Sequence, residues 1–148
     1  MVMYNSTIAQ NYLNNLFPLL IGLADNGNDT VLKPQQEQKL CQKLESDLQQ
    51  GLDPNLSDKG MSLLHLFAMC GLAKAIETLR RYDANTNIHD NNKGDTPLML
   101  AIKCHQLGAA KALCNTLFLE NGGQRTPLKG ANVNEQNNSG EVALHLAV

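Results

Sequence analysis

The stretch Gly94-Asp-Thr-Pro-Leu-Met-Leu100 carries the local signals that decide the fold. Thr96 is placed to accept a hydrogen bond from the free backbone N–H groups at a helix start. Pro97 suits the first helical position because the N–H that it lacks would have no partner there. The stretch therefore predicts a short helix that begins at Pro97.

The same pattern recurs on both sides of this stretch. Gly60-Met-Ser-Leu-Leu-His-Leu66 precedes it by 34 residues, and Gly140-Glu-Val-Ala-Leu-His-Leu146 follows it. A second motif stands upstream of each glycine, in Gly51-Leu-Asp-Pro-Asn55, Asp83-Ala-Asn-Thr-Asn87 and Gly130-Ala-Asn-Val-Asn134. Two linked motifs that recur in order indicate a repeat architecture.

These linked motifs resemble the ankyrin repeat family, whose pattern runs Gly-x-Thr-Pro-Leu-His-x-Ala and closes with Gly-Ala-Asp-x-Asn. The resemblance covers about residues 40 to 148 and is strongest at Gly94-Asp-Thr-Pro-Leu98. Leu63 and Phe67 depart from the pattern, as do Met99 and His105, so the repeats are divergent. The resemblance implies an all-α solenoid of helix-turn-helix units that are joined by short β-hairpin loops.

Apolar spacing predicts where the second helices lie. Pro34 opens a helix that ends at Gly51, and Leu72, Ala75, Ile76 and Leu79 form one buried stripe in another. The spacing assigns Arg80 to the solvent side of that helix. Ahead of these helices, Pro18 should kink or split an N-terminal helix, since it removes one backbone hydrogen bond.

The chain therefore divides into a capping segment and a set of repeats. The predicted units are an N-terminal helical capping segment at 1–33 and ankyrin repeats over 34–148, made of a degenerate half repeat 34–57, a repeat 58–89, a repeat with an insertion 90–135, and an incomplete repeat 136–148. The insertion, Leu117 to Lys129, should emerge beside the concave edge of the stack.

Composition and charge exclude several function classes. With 148 residues and a net charge of −2, the chain has no strong field for phosphate backbones or anionic lipid, so we expect neither nucleic acid nor membrane as a partner. The longest apolar run is interrupted by Pro18 and Gly22. The four cysteines form no Cys-x-x-Cys pair, which argues against a zinc or disulfide framework and favours a cytoplasmic location.

No residue pattern predicts catalysis, a metal or a cofactor, so we expect that this chain is not an enzyme. His65 and His145 occupy the histidine position of the family pattern, where the resemblance implies a structural role. Cys104 and His105 are neighbours on a helix, where adjacent side chains diverge and cannot easily form a dyad.

The resemblance implies a protein partner that is held by the hairpin tips and by the inner side of each first helix. Carried over by position, the candidate binding residues are Asp58, Lys59, Met61, Met69, Cys70, Asn92, Lys93, Asp95, Lys103, Cys104, Asn138, Ser139 and Glu141.

A protein-interaction module or adaptor is thus the leading prediction. The alternatives are a regulatory ankyrin domain of a larger, enzymatic protein, an F-box-like ubiquitin-ligase adaptor suggested by Phe17-Pro-Leu-Leu20, and a bacterial effector delivered into a host cytosol. Self-association through an uncapped C-terminal end is a further alternative, because the third repeat stops after its first helix.

Overall fold

The computed structural model of the chain describes residues 6–20, 34–58, 60–128 and 130–147. Its elements are α1 (Ser6–Asn11), a π-helical turn (Tyr12–Leu16), α2 (Pro34–Gln49), β1 (Ser57–Asp58), β2 (Met61–Ser62), α3 (Leu63–Cys70), α4 (Ala73–Arg81), α5 (Pro97–Lys103), α6 (Leu107–Cys114), β3 (Leu117–Asn121), β4 (Gln124–Leu128) and α7 (Ala143–Ala147).

The helices lie in two layers, as a helix-turn-helix solenoid requires. In the first layer α3 packs on α5, and α5 packs on α7. In the second layer α2 packs on α4, and α4 packs on α6. The core lies between the layers and includes the predicted stripe of Leu72, Ala75, Ile76 and Leu79.

The first helix of each repeat begins where the sequence predicts. Ser62 Oγ accepts from the His65 N–H, while His65 Nδ1 accepts from the Ser62 N–H at 3.2 Å, so α3 opens with a reciprocal capping box. Thr96 Oγ1 accepts from the Met99 N–H at 3.3 Å, and Pro97 stands at the start of α5. These caps confirm the predicted helix starts.

The N-terminal segment absorbs Pro18 through its π-helical turn. The Phe17 N–H bonds to the Tyr12 carbonyl, five residues back, and residues 17–20 remain helical. Proline has no N–H for the helical ladder, so one carbonyl of the preceding turn lacks its helical donor, and the ladder is irregular just before Pro18. Residues 1–5 and 21–33 of the expected capping segment lie outside the described residues.

Two hydrogen bonds are among the contacts that join this segment to the repeats. Tyr12 Oη donates to Asp47 Oδ2 of α2 at 2.7 Å, and burial together with this carboxylate raises the pKa of Tyr12. The Cys70 thiol of α3 donates to the Leu20 carbonyl at 3.5 Å. Residues 6–20 therefore occupy the place of a first-layer helix beside α3.

The segment predicted as an insertion forms a β-hairpin. β3 pairs antiparallel with β4, and Gly122 and Gly123 close the turn with φ of 58° and 86°. Two consecutive positive φ angles are typical of a type I′ turn, which twists with the strands and favours glycine at both positions.

Arg80 holds this hairpin against the helices. Its guanidinium donates to the Ala112 carbonyl at 2.6 Å and to the Leu128 carbonyl at 3.4 Å, and the residue is only 3% exposed. The prediction that Arg80 faces solvent is therefore wrong, because helical spacing carries no information about a hairpin inserted later in the chain. The anchor lies on the second-layer helix α4, which corrects the expected position beside the concave edge.

Candidate partner-binding surface

Three loops, here called fingers, connect the repeats: finger 1 (56–62), finger 2 (88–96) and finger 3 (135–142). Their backbones are bonded to one another. The Asn91 N–H donates to the Gly60 carbonyl at 3.1 Å, and the Asn138 N–H donates to the Lys93 carbonyl at 2.9 Å. The finger tips therefore lie side by side as one strip along the first-layer helices.

Polar side chains fix the shape of fingers 2 and 3 from inside. Asp90 Oδ1 accepts from the backbone N–H groups of residues 92 to 95, at 2.9 to 3.2 Å. Asn137 Oδ1 accepts from the N–H groups of Ser139 and Glu141. Each side chain pairs donors that the loop backbone itself leaves without partners.

Asparagine side chains also join one repeat to the next. Asn55 Oδ1 accepts from the Asn85 N–H at 2.6 Å, and Asn87 Oδ1 accepts from the Asn132 N–H at 2.6 Å. Asn55 and Asn87 stand at the same position of the closing motif, so the bond recurs with the repeat. The motif asparagines therefore have a structural role.

Asp95 is part of a buried network and not of an accessible surface. It is only 2% exposed, and its carboxylate accepts from Lys103 Nζ at 2.6 Å and Asn137 Nδ2 at 2.9 Å. Burial opposes its ionisation, but these hydrogen bonds and the charge of Lys103 hold its pKa below the ordinary value. The prediction that Asp95 contacts a partner is therefore corrected to a structural role.

His65 completes this network, and its predicted structural role is confirmed. The ring is fully buried, with Nδ1 accepting from Ser62 and Nε2 at 2.9 Å from the Asp95 carbonyl. Since Nδ1 accepts, Nε2 carries the proton and donates to that carbonyl. Burial lowers the pKa of His65, so the ring remains neutral.

His89 bridges fingers 2 and 3, a role that no local sequence signal predicts. Its Nδ1 lies 2.7 Å from the Gly94 carbonyl, and its Nε2 lies 3.1 Å from Glu135 Oε2. Both partners are acceptors, so only the imidazolium satisfies both contacts. The Gly94 carbonyl and the Glu135 carboxylate accordingly raise the pKa of His89.

Most other candidate residues remain reachable on the strip. Asn92, Lys93, Asn138 and Ser139 are exposed at the finger tips. The partly exposed candidates are Asp58, Met61, Met69, Cys70, Lys103, Cys104 and Glu141. Lys59 lies outside the described residues. The strip is thus polar at its tips and sulfur-rich along the helices.

The thiols of this strip carry little nucleophilic character. Burial is the main reason why the pKa of Cys70 is raised to about 11, and it also raises the pKa of Cys104. A protonated thiol is a poor nucleophile and a weak metal ligand. Within the described ranges, no three His, Cys, Asp or Glu side chains are grouped so that they could hold a metal ion.

The motif that suggested an F-box contributes to the core. Phe17 and Leu20 are buried, and the Leu20 backbone contacts α3. Packing within the stack therefore accounts for these two apolar residues. Among the described residues, no helix has the length and apolar character to cross a membrane.

The chain was compared with models of known protein families. A family model described as ankyrin repeats, in three copies, matches residues 8–125. The matched span contains the two complete helix pairs, fingers 1 and 2, and part of the inserted hairpin.

Proposed function

Because this chain belongs to the ankyrin repeat family, whose members generally act as protein–protein interaction modules and are typically non-catalytic, we propose that it recruits a partner protein through the finger strip. The observation that carries the proposal is the division of finger residues. Internal hydrogen bonds occupy the side chains of Asp90, Asp95 and Asn137. The neighbouring side chains of Asn92 and Lys93, at the tip of finger 2, are exposed and can contact a partner.

The exposed tips fit recognition of another protein's polar surface. Lys93 projects from finger 2, while Asn138 and Ser139 offer amide and hydroxyl groups on finger 3. Behind them, Met69 supplies an adaptable apolar contact at the end of α3. The chain has no Trp, and a strip of this size buries about 800 Å² per partner at most, so we expect affinity in about the micromolar range.

The test is capture with two charge-matched variants as bait. Lys93→Glu/Ser139→Arg changes two finger tips, and Lys39→Glu/Gln42→Arg makes the same charge changes on exposed positions of α2. Proteins retained by the wild type and the α2 variant but lost with the finger variant would support the proposal. Equal retention by the finger variant would contradict it, provided that all three chains melt at similar temperatures.

The proposed setting is an adaptor in the cytoplasm, where the four free cysteines would stay reduced. Fractionation of cells that express a tagged chain, with thiol trapping of its cysteines, tests the setting. Recovery from an oxidising compartment would contradict it.

A second candidate role is self-association through the face that α6 and α7 leave open. Leu107 is 67% exposed and Leu144 is 73% exposed, although the residues equivalent to Leu144 in α3 and α5, Leu64 and Leu98, are buried. Apolar surface of this kind is typical of contact faces. Leu144→Glu should abolish any association that uses this face, as measured by sedimentation.

A further inference from the structure

The two edges of the inserted hairpin differ in what they offer to another strand. Because the turn has two residues, the backbone groups of Asn121 and Gln124 hydrogen-bond to each other across the hairpin. From this pair onward, hydrogen-bonded and non-hydrogen-bonded residue pairs alternate along the two strands. Residues 117 and 119 of β3 bond to β4, whereas the backbone groups of Phe118 and Glu120 point outward. On β4 the outward positions are Arg125 and Pro127, and Pro127 has no N–H to donate.

The outer edge of β3 is therefore the more complete template for pairing. No backbone hydrogen bond to Phe118 or Glu120 from outside the hairpin occurs within the described ranges. Phe118 is 44% exposed, and Glu120 is exposed as well. A row of unpaired N–H and C=O groups on an exposed strand is the surface that β-augmentation uses.

The exposed face of the hairpin carries two charges that do not meet each other. Phe118, Glu120 and Arg125 share this face, because residues paired across the strands point the same way. The Arg125 guanidinium lies over the Phe118 ring, 4.0 Å from its centroid. Among the described residues, neither Glu120 nor Arg125 takes part in an ion pair.

We propose that β3 pairs antiparallel with β3 of a second copy of this chain, centred on Leu119. In this register the outward groups of Phe118 meet those of Glu120 from the second copy, which forms about four hydrogen bonds between chains. The Cβ atom of Glu120 then lies about 5 Å from the Cβ atom of Phe118 in the other copy, so the Glu120 carboxylate is within reach of the Arg125 that covers that ring. The four strands β4-β3-β3-β4 form one sheet.

Charge complementarity is what selects a second copy as the occupant. A strand that pairs beside Phe118 is favoured if it places an acid opposite this residue, where the Arg125 guanidinium lies, and Glu120 of a second β3 stands at that position. The contact is small, since five-residue strands bury less than the ~800 Å² per partner of a standard interface. We therefore expect association only at about 100 µM and above.

Sedimentation equilibrium on the full chain tests the proposal through its backbone requirement. Glu120→Pro removes one outward N–H, as Pro127 already does on β4, and leaves the bonds between β3 and β4 in place. The wild type should form dimers at about 1 mM, and Glu120→Pro should stay a monomer. Cross-strand nuclear Overhauser effects between residues 119 and 126 verify that the variant keeps its hairpin.

The charge requirement gives a second, independent arm. Glu120→Arg should weaken the dimer at least tenfold, and the exchange Glu120→Arg/Arg125→Glu should restore it. Leu144→Glu, which alters the open face of α7, should leave the dimer unchanged. A monomeric wild type at 1 mM would overturn the proposal, and so would a dimer that survives Glu120→Pro or is lost with Leu144→Glu.

Discussion

The fingers and the inserted hairpin are both short β-type connections, but they use their polar residues in opposite ways. In the fingers, the side chains of Asp90, Asp95 and Asn137 hydrogen-bond to partners inside the stack, and exposed polar groups such as Lys93 lie at the tips. In the inserted hairpin, Glu120 and Arg125 point to solvent. The hairpin is held at its base by Arg80 of α4, which donates to the Leu128 carbonyl. Fingers therefore contribute to the stability of the stack, while the hairpin is an attachment that the stack carries.

The largest expected effect is at the centre of the finger network. Asp95→Ala removes the buried carboxylate that accepts from Lys103 and Asn137, which should cost about 3 kcal/mol of unfolding free energy. For a chain of this size the melting temperature should then fall by about 9 °C. Urea and thermal denaturation measure both quantities.

Asn92→Ala is the matched control, because Asn92 is exposed on the same finger and should change stability by less than about 0.5 kcal/mol. If Asp95→Ala and Asn92→Ala unfold alike, the network does not stabilise the fingers, and the comparison with the hairpin fails.

The next effect is on the hairpin anchor. Arg80→Met removes the donors to Ala112 and Leu128, and we expect a loss of about 2 kcal/mol. Amide hydrogen exchange in β3 and β4 should accelerate more than exchange in α3 and α5, since the hairpin and α6 hold the two carbonyls that lose the Arg80 donors. Arg81→Met, at the exposed neighbouring position, should change neither.

A smaller effect depends on pH and comes from His89. Its pKa is raised in the folded state, so its contribution is complete below the unfolded pKa of about 6.5 and is lost as the pH rises through the folded pKa. The stability difference between wild type and His89→Ala should therefore shrink from about pH 6 to about pH 9. The ring is partly exposed, which limits the change to less than about 1 kcal/mol.

Subtracting the stability of His89→Ala from that of the wild type at each pH cancels the contribution of His65, which both proteins share. The lowered pKa of His65 favours folding at higher pH and would otherwise oppose the effect of His89. A difference that grows with pH would mean that His89 does not bridge the fingers as an imidazolium.

The smallest effect is expected on the exposed face of the hairpin. Phe118→Ser should alter the unfolding free energy by less than about 0.5 kcal/mol at low micromolar concentration, because the ring packs chiefly against Arg125. Denaturation at that concentration checks it. A loss above about 1.5 kcal/mol would place Phe118 in the core and would mean that the hairpin, like the fingers, is part of the stack.

Local signals predicted the starts of the first helices in two repeats and the buried face of one second helix. Ser62, Thr96 and Pro97 act within one helical turn, so their roles could be read without knowing what packs nearby. The stripe from Leu72 to Leu79 followed from periodicity alone. What these residues share is that their partners lie a few positions away or on a face set by the helix itself.

Roles that depend on distant partners could not be predicted. From the sequence alone Asp95 looks like an exposed charge in a loop, because its partners Asn137 and Lys103 meet it only in the folded stack. Arg80 likewise looks solvent-exposed at the end of α4, because the hairpin that covers it comes later in the chain. His89 belongs to the same class, since its partner Glu135 is far along the chain. Loop-closing contacts of this kind need the stacked geometry before they can be assigned.

The asparagine bonds between repeats also have a mechanical consequence. Asn55 reaches forward to Asn85 and Asn87 reaches forward to Asn132, so each bond crosses only one boundary between repeats. Under a pulling force along the stack these bonds are loaded in series, and the weakest boundary yields first while the others hold. Under force, the boundaries between repeats should therefore separate one after another and not all at once.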